Sequence, residues 1–337
     1  MNFESALNLI NNARCVLLTT HIRPDGDAVG SLAALKTLID RAARHTGRNC
    51  ATELLFLSRV PDNYQFLLSD IPYLRLGEQI TQEQIDAGRL DQYDLFIIAD
   101  TSTQQQLPGI ADYLTKHTEP ILVFDHHLAT DGLGSCRLIN TDAAATGQII
   151  FEFARHACWC VDPQVANALF VALSTDTGWF RFGNASASAY ETAAQLVAAG
   201  AQPAALYKKL FQDFPPERLK LIALTLQTLE LHCVGRLALM QITNQMLRDS
   251  GAKRTHIENI INESQQIGSV TVSVLLIEQE GGTTRVSFRS RGPVDVNVIA
   301  AQFNGGGHAQ AAGATLDLPL NEAKPKILSA ISDALST

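Results

Sequence analysis

The sequence has no cysteine pair at C-x-x-C spacing, no apolar run long enough to cross a bilayer, no internal repeat and no low-complexity segment. Each absence narrows the field. Without a bilayer-length run, a membrane-spanning chain is not expected. The six cysteines (Cys15, Cys50, Cys136, Cys158, Cys160 and Cys233) are scattered and read as reduced core thiols of a cytoplasmic protein. The opening M-N-F-E-S-A-L-N-L-I carries an acid and no basic n-region, so it does not look like a secretory signal. There is no excess of basic residues either. A net charge of −8 argues against a broad face for long nucleic acid, while leaving room for a local cationic pocket around a small phosphorylated substrate. What is present, 337 residues with 46% hydrophobic and 18% charged, describes a soluble globular chain long enough for two domains.

The first half alternates strand-like and helix-like segments. C-V-L-L-T-T (15–20) leads through a loop into the helical A-V-G-S-L-A-A-L-K-T-L-I (28–39), and Y-D-L-F-I-I-A-D (93–100) and P-I-L-V-F-D-H-H (120–127) are further buried-strand candidates. Near-continuous apolar strands separated by helices predict an α/β fold with a doubly wound, mostly parallel sheet. Asp162-Pro163 predicts an N-cap and first helical turn running to T-D-T-G at 175–178, and a further helix spans about 188–199. A Pro-Pro break and an amphipathic helix follow. From about 231 the segments shorten to strands, with a hairpin at E-G-G-T, which predicts a smaller C-terminal α/β domain with a mixed sheet. The expected division is a domain at 1–195, a helical connector at 196–230 and a second domain at 231–337.

Functional residues of a parallel sheet sit beyond the carboxyl ends of its strands. Here His21, Asp25, Asp27, Asp100, Asp125, His126 and His127 all follow such strands, and Asp176 could join them from its helix end. Each has a plain structural reading. Asp25-Gly-Asp27 could be a turn, Asp100 a cap, a histidine a packed side chain, Asp176 part of a helix stop. All would have to hold together at matching topological positions. The alternative is a pair of divalent cations, whose four positive charges balance Asp25, Asp27, Asp100 and Asp176. An oxygen-rich set with some imidazole suits manganese, and magnesium, cobalt, zinc or iron fit on ligand type. Gly26 is expected to let a tight loop turn so that its neighbours address different ions.

H-I-R-P-D-G-D-A-V-G-S, I-I-A-D-T, F-D-H-H and S-T-D-T-G-W-F resemble, in order, the four motifs of the DHH phosphoesterase family, and G-G-G-H-A-Q-A-A-G (305–313) resembles the signature of the associated DHHA1 domain. The resemblance spans nearly the whole chain and comes nearest to the bacterial nanoRNase group. It implies a metal-dependent phosphoesterase that hydrolyses short oligoribonucleotides and 3′-phosphoadenosine 5′-phosphate. His21, Asp25 and Asp100 would bind one metal and Asp27, Asp100, His126 and Asp176 the other, with Asp100 bridging. His127 would assist proton transfer to the leaving group, and Asp125 would act from behind it. Two such ions activate a water and offset the charge on the phosphoryl oxygens.

The second domain is expected to grip substrate. Positions 285, 289 and 291 differ by even steps, which predicts Arg285, Arg289 and Arg291 on one strand face. Arg285 is read as exposed charge, Arg289 and Arg291 as phosphate binders. Gly305, Gly306 and Gly307 would let backbone N–H groups approach a phosphate, with His308 adding a donor. After the third motif related proteins often carry a serine/threonine–glutamate pair; here A-A-A-T-G-Q puts Thr146 and Gln148 in its place. Trp179, Phe180, Arg181 and Phe182 are read first as core and second as a base-stacking platform. The expected partners are short RNA oligonucleotides or phosphorylated nucleotides, with no long nucleic acid and no membrane; a homodimer stays open. The rival activities are a linear or cyclic dinucleotide phosphodiesterase, a RecJ-like single-strand DNA exonuclease and a pyrophosphatase, and the non-enzymatic rival is a nucleotide-binding sensor.

Overall fold

Apolar strand runs and amphipathic helices alternate through the first half of the chain, and their order sets the architecture seen in the computed structural model, which describes residues 2–336 (the side chains of 308 and 336 excepted). The chain divides into two units, Met1–Asp213 and Phe214–Thr337, so the boundary falls inside the 196–230 segment read above as connector.

In the first unit the strands are β1 (Cys15–Thr20), β2 (Ala51–Phe56), β3 (Tyr73–Arg75), β4 (Leu95–Ala99), β5 (Ile121–Asp125) and β6 (Cys136–Ile139). The helices are α1 (Phe3–Asn12), α2 (Gly26–Thr46), α3 (Gln82–Asp86), α4 (Ala111–Lys116), α5 (Thr146–His156), α6 (Pro163–Asp176), α7 (Ala187–Ala198) and α8 (Pro203–Tyr207), the last continuing into a π-helical turn at Lys208–Gln212. All strands pair in parallel, in the order β3-β2-β1-β4-β5-β6. That order reverses direction between β1 and β4, where a doubly wound sheet opens a crevice beyond its carboxyl edge.

Side chains of the strands alternate between two cores. Val16, Leu18, Leu54, Phe56, Ile97, Ala99, Leu122 and Phe124 pack under α2, α5 and α6, while Leu17, Leu55, Phe96, Ile98, Ile121 and Val123 face the α3 and α4 side. Burial on both faces explains why these strands read as unbroken apolar runs. The helix predicted over 28–39 starts two residues earlier and runs seven further, capped by Asp25 and stopped by Gly47 in the left-handed region at φ 68°. α6 begins as read: Asp162 accepts from the Val165 N–H, with Pro163 in the first turn.

The second unit contains α9 (Pro216–Leu226), β7 (Glu230–His232), β8 (Leu237–Ile242), α10 (Asn244–Ser250), β9 (Val272–Glu278), β10 (Thr284–Ser290), α11 (Val296–Ala301), β11 (Gly306–His308), β12 (Ala311–Leu316) and α12 (Leu320–Ser336). Its sheet runs β11-β12-β10-β9-β8-β7, with β8–β9 parallel and the other pairs antiparallel, so it is mixed. Val274, Leu276, Val286 and Phe288 face α11 and α12; Met240, Ile242, Leu275 and Ile277 face Leu221 of α9. Among the described residues, no helix is long and apolar enough to cross a membrane.

Candidate metal centre

Three adjacent strand ends and two helix ends meet at the β1/β4 crevice. β1 delivers His21, β4 delivers Asp100 and β5 ends on Asp125 with His126 and His127 behind it. Asp27 lies in the first turn of α2, and α6 ends at Asp176. These two helices run antiparallel in close contact: a Cβ on Gly26 would lie 2.4 Å from Thr175 Oγ1, and one on Gly30 would lie 2.4 Å from the Ala168 carbonyl oxygen. Close approach, rather than a positive φ, is therefore what requires Gly26, which corrects the tight-loop reading. It sits in the first turn of α2 and lets Asp27 come beside Asp176.

Seven of the eight polar residues singled out from the sequence are brought together in three overlapping groups, and the eighth, Asp125, bonds to His127 behind them. Ligand atoms of His21, Asp25 and Asp100 lie within 4.8 Å of one another, as do those of Asp27, His126 and Asp176, and those of Asp100, His126 and His127. His21 Nε2 stands 3.4 Å from Asp100 Oδ2 and 4.0 Å from Asp25 Oδ1. His126 Nε2 is 3.5 Å from Asp176 Oδ2, 3.7 Å from Asp100 Oδ1 and 3.9 Å from Asp27 Oδ2. His127 Nδ1 is 2.7 Å from Asp125 Oδ1, and Asp125 is fully buried. Asp100 itself adopts φ 66°, a left-handed conformation that aspartate tolerates better than most residues, and its N–H donates to the Phe124 carbonyl.

Carbonyl oxygens can only accept, and this fixes two tautomers. His21 Nδ1 lies 3.0 Å from the Ile22 oxygen and His126 Nδ1 lies 3.2 Å from the Ala143 oxygen, so each Nδ1 carries a proton. Each Nε2 then faces the carboxylates. His126 Nε2 is buried with no hydrogen-bond partner. A buried lone pair aimed at carboxylate oxygens is what a cation between them would satisfy.

The electrostatics point the same way. Burial first, then Asp27, Asp25, Asp176 and Asp125, push the Asp100 carboxyl well above the ordinary carboxylate range. Burial, Asp27 and Asp25 do the same to Asp176, which also lies at the negative end of α6. Asp27 is raised by burial and by Asp25, against the pull of His126 and two backbone N–H groups. Burial works to raise Asp125, but its hydrogen bond and charge contact with His127 outweigh that and hold it low; the same bond raises His127 against its own desolvation. The oxygen and imidazole donors, with no thiolate among them, fit divalent cations.

Sequence reasoning leaves out the residues that hold Asp27. Its Oδ1 accepts from Ser31 Oγ at 3.0 Å and from the Gly147 N–H at 2.9 Å, and its Oδ2 accepts from the Thr146 N–H at 2.6 Å. Thr146 Oγ1 also donates to Asp100 Oδ1 at 2.9 Å. α5 has no side-chain cap of its own at Ala145, so Asp27 from α2 caps it across the fold. A helix opening A-A-A-T-G without a capping residue is the signal that a distant acceptor is needed. Gln148 instead donates to Ser188 Oγ and accepts from the Ala144 N–H.

In the second unit Arg289 is half-buried on the β10 face opposite Val286 and Phe288, with Nη1 donating to the Phe288 carbonyl; burial lowers its pKa while Glu258 opposes. Arg291 lies beyond the strand end, so the alternation shared by Arg285 and Arg289 does not extend to it. Its guanidinium donates to the Gln265 carbonyl. Gly305 and Gly307 are demanded by the approach of β12, where a Cβ would fall 2.2 Å from the Gly313 oxygen and 2.4 Å from the Ala311 oxygen; at Gly306 the nearest atom is Asn297 Oδ1 at 3.9 Å. The His308 side chain lies outside the described residues.

A doubly wound sheet with this ligand-rich crevice, followed by a mixed-sheet domain, defines a two-domain α/β phosphoesterase. The chain belongs to the DHH/DHHA1 phosphoesterase family: residues 15–173 match the N-terminal domain of the DHH family and residues 237–337 match the DHHA1 domain. It is similar to the bifunctional oligoribonuclease and PAP phosphatase NrnA of Thermus thermophilus, 28% identical over 95% of this chain and 90% of that protein. The protein of that name from Bacillus subtilis is 24% identical over 89% of each chain. An exopolyphosphatase-related protein from Bacteroides fragilis shares the fold, with a TM-score of 0.89 at 20% identity, covering 99% of this chain and 95% of that one.

Proposed function

We propose that this protein hydrolyses phosphoester bonds in short oligoribonucleotides and in 3′-phosphoadenosine 5′-phosphate, in the cytoplasm and with two Mn2+ ions as its cofactor. The observation that carries the reading is the near-full-length likeness to proteins named as oligoribonucleases and PAP phosphatases, through both domains in the same order.

His21, Asp25 and Asp100 would hold one cation, and Asp27, Asp100, His126 and Asp176 the other. Bound there, the pair supplies water activation and charge neutralisation at the phosphoryl oxygens. The chain's own groups do the rest. The Ile22 and Ala143 carbonyls orient the His21 and His126 rings, and the α5 N-terminus fixes Asp27. Asp125 holds the Nδ1 side of His127, setting its tautomer and assigning Nε2 to the leaving-group oxygen. Arg289, Arg291, Gly306 and His308 are the proposed contacts for substrate phosphate.

The test is a turnover assay of the purified full chain with Mn2+ on 3′-phosphoadenosine 5′-phosphate, RNA dimers to pentamers, linear and cyclic diadenylates, single-stranded DNA and pyrophosphate. Turnover of the first two is expected. Preference for a diadenylate, DNA or pyrophosphate would overturn the reading, as would no metal-stimulated turnover at all.

A further inference from the structure

The loop after Asp176 is built in an unusual way. Gly178, Trp179 and Phe180 lie in succession in the left-handed region, at φ 56°, 59° and 61°. Two of them are bulky aromatics, for which that conformation is strained. The strain is held by a dense set of bonds to the last turns of α6. The Trp179 N–H donates to the Ser174 oxygen, the Phe180 N–H to Thr177 Oγ1, and the Arg181 and Phe182 N–H groups to the Thr177 oxygen.

The aromatics then part company. Trp179 packs on Phe170, Tyr207 and Phe211, and Phe180 packs between Phe170 and Tyr190, so the core reading applies to both. Phe182 does not follow them: it is 58% exposed. Its ring lies flat over Gly178, where a Cβ would come within 2.4 Å of it. The loop is tied down again at Asn184, whose Nδ2 donates to the Asp176 and Ala144 carbonyls. One of these belongs to the acid cluster, and the other lies two residues before Thr146, which holds Asp27 and Asp100. An exposed phenyl is thus held over Gly178, two residues from Asp176, by a strained backbone.

We infer that Phe182 is the stacking surface for a nucleobase of the substrate and so determines that the enzyme takes nucleotides in preference to other phosphoesters. The inference rests on the proposed function. Every base has a π-face, so such a surface accepts adenine in a mononucleotide and any base in a short RNA alike.

The experiment compares F182A, F182W and the parent chain on an RNA dinucleotide and on the same phosphodiester lacking both bases. F182A is expected to raise KM for the dinucleotide about 10- to 100-fold with kcat largely kept. KM for the abasic diester should move less than twofold, and F182W should restore dinucleotide binding. Equal losses on both substrates, an unchanged dinucleotide KM or failure of tryptophan to rescue would each overturn the inference. Absence of turnover in the parent chain would instead sink the proposed function, so the two failures are distinguishable.

Discussion

Replacing Thr146 with valine keeps the side chain's shape and removes one O–H group, the donor to Asp100 Oδ1 at 2.9 Å. The backbone bond from Thr146 to Asp27 survives, so the perturbation falls on Asp100 alone. A hydrogen bond to a charged group contributes about 1.5–3 kcal/mol. Cations require Asp100 ionised, and burial with the neighbouring acids already disfavours that state. Losing the donor disfavours it further, so T146V should bind Mn2+ roughly 10- to 100-fold more weakly, at about 1.4 kcal/mol per decade. Calorimetric titration of the cation-free chain measures this directly. Thermal melting in chelator should show T146V still folding cooperatively, and T146S should recover the affinity. Wild-type Mn2+ affinity in T146V would refute the reasoning, as would an affinity loss that T146S fails to reverse.

D100N should abolish turnover yet melt higher than the parent chain in chelator at neutral pH. Since the folded Asp100 carboxyl is raised, the folded state holds a proton that the unfolded chain gives up, and cation-free stability falls as pH climbs past about 3.9; D100N should flatten that fall. D100A should be less stable than D100N by about 1 kcal/mol because the site is left-handed, and melts of the pair check it. D162A removes the α6 cap and the 2.5 Å contact with Arg41, costing about 1 kcal/mol by urea denaturation. Burial pushes the Asp162 carboxyl up, but Arg41 and the Val165 N–H outweigh it and hold it low, so this contribution is full above about pH 4 and fades in stronger acid. G26A must push Thr175 away from α2, costing about 1–3 kcal/mol and lowering turnover of a chain that still folds; unchanged kcat would contradict the close-approach argument.

The parallel sheet is legible because buried strands read as continuous apolar runs, and the polar residues that end them mark the edge where the candidate ligands cluster. Cap chemistry is local too, so Asp162-Pro163 announces α6. What escapes is whatever depends on contacts across the chain. Asp27 and Thr146 are separated by 119 positions, and no pattern near either one reveals that they bond. Gly26 looks like a turn glycine because its sequence neighbours are polar, whereas its requirement comes from Thr175, far along the chain. Arg291 follows the two-residue rhythm of β10 only until the strand stops at Ser290. Periodicity places a residue on a face but does not say where the strand ends.

Asp27 serves two masters. It closes the open end of α5 for the fold, and it faces His126 and Asp176 in the proposed cation site. A mutation there injures the protein's architecture whether or not a cation is ever bound, so selection for mere foldedness protects it. Asp176, only partly exposed at its helix end, enjoys no such shelter. A descendant chain drifting from hydrolase to silent nucleotide binder would therefore shed Asp176 early and keep Asp27 long after the proposed cation site had gone.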